Sequence, residues 1–224
     1  MPAVLRIALL LILWLPFELA AQSYHYRVKY GPVIAGTAIV THEVDGDILR
    51  GDMRITSSPW LSNLWTLSDS IMGRYDLKRM RLIDHYKAIH EGNYHRNYKV
   101  QFSDSTVLVN NEEIEEDITG MYDLPSLLYH LSRSAFTDGD TLDFTLWDGK
   151  SYGNLTVKVE KLGRPTLLNP FPDRGWKLRP LTSTEKSREH QLELTLLFST
   201  NYPRLPVRIH IDTKYGELVM KLED

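Results

Sequence analysis

The feature that most constrains this chain is an alternation of apolar and polar residues with period two, repeated in segment after segment. Successive side chains of a strand point to opposite faces of a sheet, so this alternation specifies strands with one face buried and one wet. Tyr24, Tyr26, Val28 and Tyr30 share a face opposite His25, Arg27 and Lys29. Tyr94, Tyr98, Val100 and Phe102 share one opposite His95, Lys99 and Gln101. Leu142, Phe144 and Leu146, then Leu155, Val157 and Val159, then Val207, Ile209 and Ile211 repeat the pattern. Turn formers punctuate these runs at hairpin distances, among them Gly31-Pro32, Asp45-Gly46-Asp47, Glu91-Gly92-Asn93, Asn110-Asn111 and Asp148-Gly149-Lys150. Each tolerates positive φ or bonds its own backbone. The prediction is a mainly β fold: a single antiparallel, mostly up-and-down β-barrel or half-barrel.

Two segments depart from period two. Pro59 to Leu67 places Trp60, Leu61, Leu64 and Trp65 at helical spacing and predicts a short helix near 59–67. Asp123 to Phe136 predicts a longer one, with Asp123 as cap, Pro125 in the first turn and a stripe of Leu127, Leu128, Leu131 and Ala135. That stripe should pack on the sheet's apolar face. Residues 163–190, with Pro165, Pro170, Pro172 and Pro180, have no period and read as a long loop.

The N-terminus follows the grammar of a secretory signal peptide: Arg6, an apolar run from Ile7, and small residues at Ala20 and Ala21. The run is about half the roughly 20 residues of a membrane-spanning helix. Residues 1–21 are therefore expected to be removed, leaving 22–224 as a single β-rich domain. The chain has no cysteine, so it carries neither a lipoprotein anchor nor a disulfide. With 26 basic and 29 acidic residues and no basic run, nothing in its charge favours nucleic acid as a partner. No apolar run after the signal approaches a membrane span, and a soluble, exported protein is the expectation.

The densest chemical cluster is His85, His90, Glu91 and His95. If residues 91–94 form a tight turn, His90 and His95 flank it on paired strands and offer two metal-ligating nitrogens, with Glu91 or His85 as a third group. Period two, counted along the sequence, puts His85 and His95 on one face and His90 on the other. The spacing matches no established ligand pattern. No G-x-S-x-G elbow or activated cysteine is present, and the acids from Glu112 to Asp117 read as a solvated turn region. No catalytic residue and no cofactor are implied. Aromatic side chains are more suggestive: Tyr26, Tyr30, Trp60, Trp65, Tyr94 and Tyr98 are the candidates for lining an apolar ligand site.

Four segments together resemble the bacterial exported domain-of-unknown-function family numbered 3108. They are Tyr26 to Thr37 (YRVKYGPVIAGT), Glu91-Gly92-Asn93-Tyr94, Asp123 to Leu131 (DLPSLLYHL) and the run Leu196 to Leu222. Ala35-Gly36-Thr37 and Pro206-Val207 weigh most in the likeness. Many members carry an acid after the serine matching Ser199, where this chain has Thr200, Asn201 and Tyr202. The resemblance implies a protein of the Gram-negative periplasm with no assigned activity, and it carries over no catalytic residues. The expected function is non-catalytic binding of an apolar small molecule or lipid, or of an envelope protein. A metal-assisted hydrolase and a structural partner in envelope assembly are the alternatives.

Overall fold

The computed structural model describes residues 21–103, 106–115, 120–163, 175–181, 193–213 and 216–223. The predicted signal peptide lies outside the described residues. The fold is mainly β, as the alternation requires. The strands are β1 (Gln22–Tyr30), β2 (Val33–Asp45), β3 (Ile48–Ser57), β4 (Ser68–Asp76), β5 (Arg81–Glu91), β6 (Tyr94–Phe102), β7 (Thr106–Val109) and β8 (Glu112–Glu115). After these come β9 (Met121–Tyr122), β10 (Thr141–Trp147), β11 (Tyr152–Leu162), β12 (Gly175–Pro180), β13 (Glu193–Ser199), β14 (Pro206–Thr213) and β15 (Gly216–Leu222). A one-turn helix, α1 (Pro59–Ser62), interrupts β3 and β4, and α2 (Leu124–Arg133) follows β9.

All fifteen strands form one sheet in the order β8 to β1, then β15 down to β9. Consecutive strands pair, β8 and β9 excepted, and the two meanders join where β1 meets β15, with Tyr26 opposite Leu222. The ladder has two free ends, β8 and β9, so the sheet is not closed by hydrogen bonds. One pair departs from the predicted antiparallel pattern: β9 runs parallel to β10. The sheet nevertheless curls on itself. Phe102 of β6 meets Trp147 of β10 edge to face, their centroids 5.4 Å apart. Lys87 of β5 donates from Nζ to the Asp148 carbonyl over 2.6 Å.

The concave face holds the core, built from Tyr26, Val28, Val40, Leu49, Met53, Val157, Leu196, Ile209 and Met220, onto which α2 lays Leu127, Leu128 and Leu131. The helix is shorter than predicted. It stops at Arg133 and leaves Ala135 exposed outside it, because Ser134 takes up an extended backbone. The first helix is likewise one turn rather than nine residues.

Three further expectations are corrected. The long loop over 163–190 contains β12, whose Leu178 is fully buried between β11 and β13; residues 164–174 and 182–192 lie outside the described residues. Gly175-Trp176-Lys177-Leu178-Arg179 does alternate, but surrounding prolines hid it. The acidic run begins as edge strand β8 rather than a turn, and edge charges suit a strand that must not pair further. Tyr30, grouped by period with Tyr24, Tyr26 and Val28, is exposed where those three are buried, because it is the last residue of β1 and stands at the end of the sheet.

Candidate functional site

The first turn of α2 is set against the inner face of β3 and β4 at two glycines. A Cβ at Gly51 would stand 2.7 Å from Cβ of Pro125, and one at Gly73 would stand 2.2 Å from Oδ2 of Asp123. Isolated glycines within strands commonly mark such close approaches. Gly73→Ala is therefore expected to push Asp123 off the sheet and cost about 1–3 kcal/mol, read as a lower urea midpoint with unchanged slope.

Asp123 caps the helix reciprocally. Its Oδ1 accepts from the Ser126 amide at 2.9 Å, while the Asp123 amide donates to Ser126 Oγ at 3.0 Å. Its other oxygen, Oδ2, lies 3.2 Å from Nδ1 of His85, and both side chains are buried. Burial alone would raise the Asp123 carboxyl, but the bond and charge of His85 and the two bonds from Ser126 outweigh it and hold the group below its usual value. Serine, histidine and aspartate thus meet, yet not as a nucleophile requires. Ser126 Oγ donates to Asp123 Oδ1 over 2.6 Å, and the carboxylate stands between it and the imidazole. A serine bonded to the acid rather than the base is not activated.

His42 of β2 forms the second buried polar contact. Its Nε2 lies 2.8 Å from the Pro125 carbonyl, and because a carbonyl only accepts, Nε2 carries the proton. Nδ1 is buried with no partner among the described residues. Tyr24 and Tyr129 pack edge-on against the ring at 5.8 and 5.5 Å. Burial pushes the imidazole down to about 4; the Pro125 bond opposes this, and nearby Arg133 and Asp123 act in opposite senses.

Beyond this network an open cleft of about 410 Å³ lies between α2 and the end of β4. Tyr75, Leu77, Ser126, Tyr129, His130, Arg133 and Ser134 line it. Tyr75 stacks on Tyr122 at 5.1 Å, and Tyr122 in turn meets His130 at 5.1 Å, giving one wall an aromatic lining. Burial lowers His130, so at neutral pH that wall carries no charge. The cleft's cation is Arg133, whose guanidinium lies 3.7 Å over the Tyr129 ring and donates to Ser132 Oγ at 2.9 Å. Among the described residues no carboxylate pairs with it. An apolar cleft with one uncompensated cation at its edge suits an amphiphile with an anionic head.

The residues predicted from sequence are scattered relative to this cleft. Tyr26 is fully buried, its hydroxyl donating to the Pro206 carbonyl at 2.8 Å, so it fills core. Tyr98 is half-buried beside the β10–β11 turn, where a Cβ on Gly149 would come within 3.4 Å of its ring. Tyr30, Trp60, Trp65 and Tyr94 are exposed at the other end of the sheet. His90 and His95 are directly opposed across the β5–β6 hairpin, ring centroids 3.8 Å apart, and share the outer face. The predicted face assignment fails because the two-residue turn at Gly92-Asn93 places His95 opposite His90. His85 faces inward to Asp123 and stands apart from that pair. Of the cleft itself, the sequence marked only Asp123 and the helix; Gly51 and Gly73 were the legible sign that something packs closely there.

The family model of a protein of unknown function, DUF3108, matches residues 25–223. The chain belongs to that family. Its DUF3108 fold also resembles the β-barrel-like protein of the domain of unknown function DUF1849 from Brucella abortus. The TM-score is 0.57 at 11% identity, covering 92% of this chain and 97% of that one. At such low identity the likeness concerns the fold alone. No curated protein matches the chain. No described helix is long and apolar enough to cross a membrane.

Proposed function

We propose that this DUF3108 protein is a non-catalytic binding protein of the bacterial envelope. It is exported by residues 1–21, released without a lipid anchor into the periplasm, and works as one curved half-barrel domain over 22–224. It takes an amphiphile with an apolar body and an anionic head in the cleft beside α2. The observation that carries this reading is the cleft of about 410 Å³, walled by Tyr75, Leu77 and Tyr129 and edged by Arg133, which donates to Ser132 and Gln22 but has no carboxylate partner among the described residues. Its volume falls in the range of small-molecule sites, roughly 300–1,000 Å³. The connectivity of Ser126, Asp123 and His85 supports binding over nucleophilic chemistry.

Every described strand and helix lies between Gln22 and Leu222, so a chain beginning at Gln22 carries the whole described fold. With that chain, cis-parinaric acid is expected to gain fluorescence on binding, and native mass spectrometry should retain a lipid-sized adduct. Arg133→Ala should weaken the probe roughly tenfold or more, as the loss of one charge-assisted contact implies. A probe that stays dark, or binds the variant equally well, rules the reading out. The metal-assisted alternative retains His90 and His95 as a close pair, but His85 is turned away from them.

A further inference from the structure

The end of the sheet opposite the cleft carries an apolar surface that the binding reading does not use. In an up-and-down meander alternate connections lie at alternate ends, so the β1–β2 turn, the β3–β4 segment with α1 and the β5–β6 turn stand together, away from Leu77 and the β4–β5 turn. They are tied to one another. The Ser58 amide donates to the Ala35 carbonyl at 2.8 Å, and the Gly92 amide to the Thr66 carbonyl at 2.7 Å. Trp65 lies flat enough on the hairpin that a Cβ at Gly92 would come within 2.8 Å of its ring. This fixed rim exposes Leu64 at 81%, Trp60 at 52%, Tyr94 at 49% and Trp65 at 43%, with Val33 and Ile34 beside them.

Local charge and composition together point to the occupant. Lys, Arg, Asp and Glu make up 25% of the chain, yet none occurs from Ile55 to Ser68 or from Tyr30 to Thr41. The nearest acids stand at the margin of these segments: Glu91 at the β5–β6 turn beside Asp69, and the exposed Glu217, whose carbonyl accepts from the Gly31 amide at 3.0 Å. Trp, Tyr and Leu interleaved with Ser57, Ser58, Ser62 and Asn63 match the boundary between acyl chains and headgroups, where amphipathic rings concentrate. Entering that boundary strips water from no charged side chain of residues 55–68 or 30–41. Lys29 and Arg96 stand exposed just behind the rim, at the height of headgroup phosphates.

We infer that this rim, with Trp60, Leu64, Trp65 and Tyr94 at its tip, docks the protein reversibly on a phospholipid bilayer surface. The insertion is shallow, on the order of 5–10 Å, as for other interfacial elements. The cleft then faces away from the bilayer, and the two sites can fail independently.

The test uses the chain from Gln22 with phosphatidylcholine–phosphatidylethanolamine vesicles whose acyl chains are brominated. Co-sedimentation is expected, with tryptophan emission shifted to shorter wavelength and quenched by the bromines. The triple variant Trp60→Ser, Leu64→Ser, Trp65→Ser should partition at least about tenfold more weakly. The single variant Leu64→Asp, at the most exposed of these positions and so without consequence for folding, should lower binding as well. A chain that remains in the supernatant overturns the inference, as does a triple variant that sediments like the parent. So does a concentration-dependent dimer that Leu64→Asp dissolves without any vesicle binding, since a second copy would then be what covers the rim. Parinaric acid binding that persists in the triple variant separates this result from failure of the cleft.

Discussion

Asp123→Ala should lower the unfolding free energy by about 3–5 kcal/mol, the largest effect expected of any single substitution here. Two losses combine. The first turn of α2 loses the acceptor for the Ser126 amide, which alone costs about 1 kcal/mol. The buried His85 loses the carboxylate 3.2 Å from its Nδ1, while its Nε2 already has no partner among the described residues. Asp123→Asn keeps an oxygen for the cap but removes the charge, so it should fall between wild type and alanine. Urea unfolding of the three proteins at neutral pH measures the order directly. A loss below about 1 kcal/mol for alanine would mean that the cap and the imidazole bond contribute nothing net. Because Asp123 is held below its usual value, its contribution is fully present above the unfolded carboxylate range and is lost as pH falls through the still lower folded value.

The second large effect is a loss of stability in mild acid, centred on His42. Its folded value is about 4 against 6.5 for a free imidazole, so between these the unfolded chain binds a proton that the folded chain refuses. Stability is therefore full above pH 6.5 and falls as pH drops toward 4, by about 3 kcal/mol in total. The cause is geometric: Nε2–H is already committed to the Pro125 carbonyl, and a second proton on Nδ1 would be buried among Tyr24, Tyr129 and the Arg133 cation. His130, also lowered by burial, adds to the same trend, whereas Glu91, raised by burial and by neighbouring Asp69, opposes it. His42→Gln can still donate to the Pro125 carbonyl but cannot titrate. Urea midpoints between pH 7 and 4.5 should thus fall steeply in the parent and much less in the variant. Parallel slopes in both proteins would remove His42 from the account.

Much of the fold was legible because strand burial is local arithmetic. Tyr24, Tyr26 and Val28 alternate in sequence and are buried in alternation, as are Leu155, Val157 and Val159. The cap of α2 was legible too, since Asp123, Pro125 and the leucine stripe act within two turns of chain. The aromatic candidates failed as a single site for a reason local reasoning cannot reach. Tyr26 and Trp60 are both on apolar segments, but one lies at mid-strand under the sheet and the other at a turn beyond it. Period two gives a residue's face and says nothing of its height along the strand. The face of His95 was misread because a two-residue turn sets cross-strand partners, and those depend on where the turn falls rather than on parity along the chain.

The sequence by itself determined that this is a β protein without disulfides, punctuated by turns and crossed by one capped helix, because alternation and capping are short-range. Tertiary structure decided what the helix meets. His85 and Asp123 are 38 residues apart, and His42 and Pro125 are 83 apart. They come together only because a fifteen-strand sheet curls until β5 faces the segment after β9. The same curl separates the aromatic residues into core, cleft and exposed rim, a partition set by the bend of the whole sheet and so invisible to any window of sequence.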